Sequence, residues 1–312
     1  MRGERGFALV ITLIVTALLV ALLTEFVNEV YVDTSHSHNF VASQQASILA
    51  ESGIAGGVKL LQASAFMRQG GRYSSLLELW AKPQSYDSGD GTVTITIEEE
   101  SGKLDLNSAT SQTGTPAPFY QQTILRLLTK LELPPELYEA LADWADNDPT
   151  PRPNGAENSY YATQRPPYRS HDDRLDTVEE LALVKGFTPQ VLTKLRSCVT
   201  VYGSGMASGS LTAAININTA PKELLAALDD KLMSGNLVDR ILEYRKTHVI
   251  KTLADISELG PLVQALQLNV TCQGTVYRIH AEGKVGDSIS VAEAVVSNTD
   301  QAKPTVLYWR EY

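Results

Sequence analysis

The residues of this chain best suited to chemistry lie between Trp144 and Tyr160. Asp146, Asp148, Glu157 and Asn158 supply hard oxygen donors on a proline-stiffened segment that reads as helix-free. Such donors suit calcium, which takes about six to eight oxygens in an adaptable shell. Backbone carbonyls near Gly155 and water would complete that shell. Asp143, Asp172 and Asp173 are further candidate ligands. The spacing is not that of an EF-hand, because Asp146-Asn147-Asp148 runs into Pro149 where a glycine-centred turn is required. The alternative is a solvated loop whose acids pair with Arg152, Arg165 or Arg169. Both readings stand on residue types alone.

Other chemistries lack their signatures. The five histidines form no His-Glu-x-x-His pattern and the cysteines are far apart, which argues against zinc. Gly203-Ser204-Gly205 and Gly209 lack the Gly-Lys-Ser/Thr ending of a phosphate loop and read as a flexible loop. No nucleophile elbow is present. The chain is therefore expected not to be an enzyme. Cys198 and Cys272 each lie beside a β-like segment. In an oxidising compartment they form a candidate disulfide, worth about 4 kcal/mol for so long a loop in the chain-entropy model. The alternative is two unrelated buried thiols. A formal net charge of −10 argues against a nucleic-acid partner and is compatible with cations. Two segments are similar to helix-hairpin-helix units, Val184 to Pro189 and Asn218 to Leu225, but their acidic surroundings make them packing elements rather than DNA readers.

The elements that must position these residues begin with a basic leader. Arg2 and Arg5 precede an apolar stretch from Phe7 to Leu23, interrupted only by Thr12 and Thr16. As a helix it would span roughly 26 Å at about 1.5 Å per residue, close to a bilayer core. Positive charge on one flank sets the remainder outside the cytoplasm. Helical character continues to about Ala65, where Ile54, Val58, Leu61 and Ala65 make one apolar face. Strict alternation over 92–97 predicts a strand, and strand signals return over 274–282, 288–297 and 305–310. Between them the pattern is helical. Leu127, Leu141, Leu224 and Ile241 belong to four separate periodic runs. Thr177 with Glu180 reads as a capping box, and Thr188-Pro189 as a helix start.

The order Gly6–Phe7 followed by an apolar helix resembles the type IV pilin and pseudopilin signal, with an ordinary signal anchor as the alternative. Pilin-like chains usually carry glutamate at the fifth processed position, where this chain has Ile11. Further runs add to the resemblance: Gly102-Lys103-Leu104-Asp105-Leu106-Asn107, Asp143-Trp144-Ala145-Asp146-Asn147-Asp148, Pro151 to Asn158, Tyr160-Tyr161, Pro166-Pro167-Tyr168-Arg169 and Ile215-Asn216-Ile217-Asn218-Thr219-Ala220. Together they resemble the K-type minor pseudopilins of type II secretion, in that family's order and over nearly the whole chain. Asp105 and Asn158 depart from the family pattern.

The resemblance implies an α+β fold: a pilin-like long N-terminal helix, a small antiparallel sheet and a large inserted all-α domain. The expected division is a leader at 1–6, a transmembrane or fibre-core helix at 7–27, and pilin-like helix and first strands at 28–107. The inserted helical domain follows at 108–265, as one body or two with a strand segment near 197–219, and the last strands occupy 266–312. It also implies cleavage at Gly6–Phe7 by a prepilin peptidase and N-methylation of Phe7. The body would be periplasmic on a single-pass inner-membrane anchor. Calcium at Asp146, Asp148, Glu157 and Asn158 and a tip complex with other minor pseudopilins are implied in the same way. Rival readings are a tip subunit of a related pilus or competence machine, or a signal-anchored periplasmic binding protein.

Overall fold

A computed structural model describes residues 4–111, 116–203, 214–256, 269–298 and 304–312. Arg2, most of the glycine-rich run after Gly203 and the expected boundary at 265/266 lie outside the described residues.

The apolar leader and the amphipathic run after it form one helix, α1, Glu4–Met67. No proline interrupts it, and its threonines satisfy themselves locally: the Thr16 and Thr24 hydroxyls donate to the Thr12 and Val20 carbonyls at 2.8 and 2.9 Å. From Phe7 to Val41 the helix is exposed except for half-buried Ser35. From Ala42 onward one face is buried.

That face lies on a sheet that has five strands among the described residues. These are β1 (Gln84–Asp87), β2 (Thr92–Glu99), β7 (Val276–Val285), β8 (Ser288–Ser297) and β9 (Thr305–Glu311), hydrogen-bonded in the order β1-β2-β7-β8-β9. All neighbours are antiparallel. Small residues let the helix backbone approach closely. A Cβ at Gly57 would lie 2.6 Å from Ile279 Cγ2, and one at Gly53 would lie 2.7 Å from Ala281 Cβ. Between helix and sheet, Ile54, Leu61, Trp80, Val93, Ile95, Ile97, Tyr277 and Ile279 form a closed apolar layer. Trp80 meets Tyr277 edge-on at 5.3 Å.

The chain leaves the sheet after β2 and returns in β7, its hydrogen-bonded neighbour, so everything between is an insertion at one end of a strand pair. Two short parallel ladders divide it. β3 (Leu104–Asp105) pairs with β4 (Val199–Thr200), and β5 (Ile215–Asn216) pairs with β6 (Val270–Thr271). Leu104–Asp105 therefore belongs to the insertion, not to the first strands of the sheet as the division at 107/108 had it. Likewise β6, expected among the sheet-completing strands, closes the second unit instead.

The first unit holds α2 (Leu106–Ala109), α3 (Pro118–Lys130), α4 (Leu137–Ala145), α5 (Asn158–Tyr161), a 3₁₀ helix over Val178–Leu183, and α6 (Pro189–Leu195). The second holds α7 (Lys222–Ala227) and α8 (Gly235–Thr247). Thr188 caps α6 through the Val191 amide, as its sequence implies. Thr177 makes no side-chain cap. Glu180 is committed elsewhere, accepting from Trp144 Nε1 at 2.6 Å and from the Asp176 amide at 3.0 Å.

Both units are closed by the same device. The Asn107 amide donates to the Leu175 and Val201 carbonyls at 2.9 and 3.1 Å and accepts from the Leu175 amide at 2.8 Å. Asn218 donates to the Ile250 and Cys272 carbonyls at 2.8 and 3.3 Å and accepts from the Ile250 amide at 3.0 Å. In each case the residue two before, Asp105 or Asn216, accepts from that asparagine's own amide. The insertion is two copies of one plan in tandem.

Candidate functional site

The acidic loop runs from the end of α4 to the start of α5. Asp143 and Trp144 lie on α4, whose apolar side faces the core of the insertion, so both are carried inward. Asp143 and Asp146 are fully buried and share one guanidinium. Arg152 Nη1 donates to Asp143 Oδ1 and, at 2.6 Å, to Asp146 Oδ2. The Arg152 backbone amide donates to the other Asp143 oxygen at 3.0 Å. Gly155 lies so close behind Asp143 that any Cβ there would collide with the carboxylate. Lys185 Nζ reaches across from the hairpin before α6 to the Asn154 and Gly155 carbonyls, at 3.2 and 2.9 Å.

Glu157 is only 3 % exposed and its Oε1 has no hydrogen-bond partner. Burial, and then the charges of Asp143, Asp146, Asp172 and Asp148, push its carboxyl up to about 7. An orphaned, oxygen-only donor among four like charges fits a hard divalent cation. The present arrangement is nevertheless a closed one. Among the described residues no three Asp, Glu, His or Cys side chains are poised together to hold a metal.

The four expected ligands are placed unequally. Asp146 and Glu157 point into the buried cluster. Asp148 is exposed and accepts from the Thr150 amide at 2.9 Å in a local turn. Asn158 is spent on structure, accepting from the Ser170 amide at 3.1 Å and donating weakly to Asp172 at 3.4 Å. Asp172, a further candidate ligand, thereby joins the cluster from the turn that follows α5. Exposed Asp173 accepts from the adjacent Arg174 amide. Lys185 has no sequence signal beyond a positive charge beside Gly186. Cys198 and Cys272 are both buried and both free, so the candidate disulfide is not formed; burial pushes both thiols up.

At the other end of the architecture, the Gly6–Phe7 bond lies in the first turns of α1. The helix from Phe7 is long and apolar enough to cross a membrane. The helix–sheet contacts give the sheet a direction. Gly283 lies against Ala46 and Ala50, Ala281 against Gly53, and Ile279 against Gly57. The next strand pair along, Glu99 with Tyr277, is where the insertion starts and ends. The insertion thus springs from the sheet end farthest from the apolar stretch.

The family model for the first part of type II secretion system protein K matches residues 102–204, and a second model for the same protein matches 215–271. These are the two ladder-closed units. A type II secretion system protein K from Klebsiella pneumoniae is 30 % identical over 240 residues, covering 72 % of this chain and 70 % of that one. The chain belongs to the type II secretion protein K family. A second member, from Pseudomonas aeruginosa, is 29 % identical over 255 residues, covering 76 % of this chain and 72 % of its own. Among solved structures, a chain of the GspK-GspI-GspJ complex from enterotoxigenic Escherichia coli superposes with a TM-score of 0.69. At 16 % identity, over 90 % of this chain and 99 % of that one, the likeness is one of fold. Membership in the K family makes the chain a component of protein secretion.

Proposed function

We propose that this chain is the minor pseudopilin that caps the tip of a type II secretion pseudopilus and starts its assembly. The observation that carries the reading is the position of the insertion. It rises from the sheet end opposite the apolar helix, where a subunit added above would have to sit. Ile11 supports the same orientation. A subunit with no neighbour above has no terminal amine to neutralise, so it needs no acid at the fifth processed position.

In this reading a prepilin peptidase cuts at Gly6–Phe7, Phe7 is N-methylated, and α1 stays in the inner membrane with the body in the periplasm. The partners are other minor pseudopilins, as in the complex formed by the structural neighbour. The role is mechanical rather than catalytic. Calcium would be held by Asp146 and Glu157 with Asp143 and Asp172, and by Asp148 and Asn158 if they turn inward. It would supply positive charge beyond that of Arg152, which among the described residues pairs with only Asp143 and Asp146.

Two measurements test this. Mass spectrometry of the chain made alongside a prepilin peptidase should give a mature terminus at methylated Phe7; an uncut chain overturns the pseudopilin assignment. A single label on the insertion should appear once, at one end of each sheared fibre. Labels spaced along the fibre overturn the cap.

A further inference from the structure

The acidic loop carries more negative charge than its own cations balance. The charges of Asp143, Asp146, Asp172 and Asp148 all act on Glu157, yet only Arg152 pairs with these carboxylates among the described residues. The cations present occupy oxygens of the kind a divalent ion uses. Arg152 Nη1 bridges the two buried carboxylates, and Lys185 Nζ takes the Asn154 and Gly155 carbonyls. Glu157 Oε1 is left with none.

The two sides of the Arg152 bridge are not equally free. The side chains of Asp143 and Asp146 are 0 % and 1 % exposed, whereas that of Arg152 is 27 % exposed. The acids are fixed by α4 and the core. The guanidinium sits at the rim on a flexible stem. It can swing into water while the Arg152 backbone amide keeps its bond to Asp143 and holds the loop in register.

We propose that Arg152, assisted by Lys185, is a tethered stand-in for a divalent cation. Arg152 holds the acidic cluster closed in the cation-free chain and leaves it when calcium binds. The strength of the Arg152 bridge then sets the calcium affinity of this loop. This inference rests on the calcium reading above and adds the residue that tunes it. The apparent affinity is reduced by the fraction of chains in which Arg152 is seated, so loosening the bridge tightens binding.

The test is calorimetric titration of calcium chloride into the full chain in detergent, for the native sequence and for Arg152→Gln, with thermal unfolding in a chelator alongside. Arg152→Gln should bind calcium about tenfold more tightly or better. It should also melt at lower temperature without calcium and recover with it. Equal or weaker calcium binding by Arg152→Gln overturns the stand-in while leaving the calcium site intact, because a purely structural arginine would lower stability and affinity together. If Arg152→Gln does not fold, Lys185→Gln carries the same prediction of tighter binding. Absence of calcium binding in the native chain and both variants overturns the calcium reading and this inference with it.

Discussion

Glu99 is the buried acid that joins sheet to insertion. Asn216 Nδ2 donates to both of its oxygens, at 2.8 and 3.1 Å, and to the Ser74 carbonyl at 3.0 Å. Burial pushes its carboxyl up to about 8, against the pull of the Thr219 and Asn216 hydrogen bonds. A folded value above the unfolded one means that the native chain binds the extra proton, so this contribution is complete below about pH 4.5 and is lost as pH rises toward 8. Glu99→Gln should remove that decline. The native chain should lose more stability than the variant between pH 5 and pH 8 in urea unfolding, and equal slopes would refute it. At this scale the sequence shows donors but not their directions. Asp146 and Glu157 were legible as hard oxygens, and Arg152 as a partner for them. That Asn158 would be spent on the Ser170 amide, and that Asp172 rather than its fellow candidate Asp173 would join the cluster, depends on how the chain turns back over residues 158–172.

At the scale of elements, the paired asparagines make the strongest claim. Asn218 is fully buried and completes three hydrogen bonds to backbone groups. Asn218→Ala should cost about 2–4 kcal/mol, the range for orphaning several buried backbone groups, and should lower the urea midpoint accordingly. Asn107→Ala should do the same in the first unit. The plan was present in the sequence as Leu104-Asp105-Leu106-Asn107 and Ile215-Asn216-Ile217-Asn218, two runs of alternating apolar and amide or acid residues. Strands β2, β7 and β8 were legible because alternation reports a half-buried strand. β1 was not. Gln84-Ser85-Tyr86-Asp87 has no alternating pattern and is ordered by its pairing with β2. The capping box at Thr177 failed because Trp144 competes for Glu180.

For the molecule as a whole, the membrane stretch and the body are separable. Residues 7–41 are almost wholly exposed, and the sheet begins to cover α1 only at Ala42. Deleting residues 1–27 should therefore leave the melting temperature of the body within a few degrees of the full chain, measured by circular dichroism; a collapse of the transition would show that the anchor is part of the core. The overall order of helix, early strand, helical block and late strands was readable from periodicity. The exact place where the block joins the sheet was not, because the alternation of Leu104 to Asn107 does not tell a strand of the sheet from a two-residue ladder of the insertion. That junction has a kinetic side. β2 and β7 are adjacent strands of one antiparallel pair, but the whole insertion separates them in the chain. As the polypeptide emerges, α1 and the apolar face of Val93, Ile95 and Ile97 are available long before their partner strand is made. Until then the β2 edge is open to any passing strand. The Asn107 and Asn218 closures each draw the two ends of one unit together, and so shorten the effective loop between β2 and β7. A weakened closure would then reveal itself first as chains lost to aggregation during folding, before any softening of the finished protein.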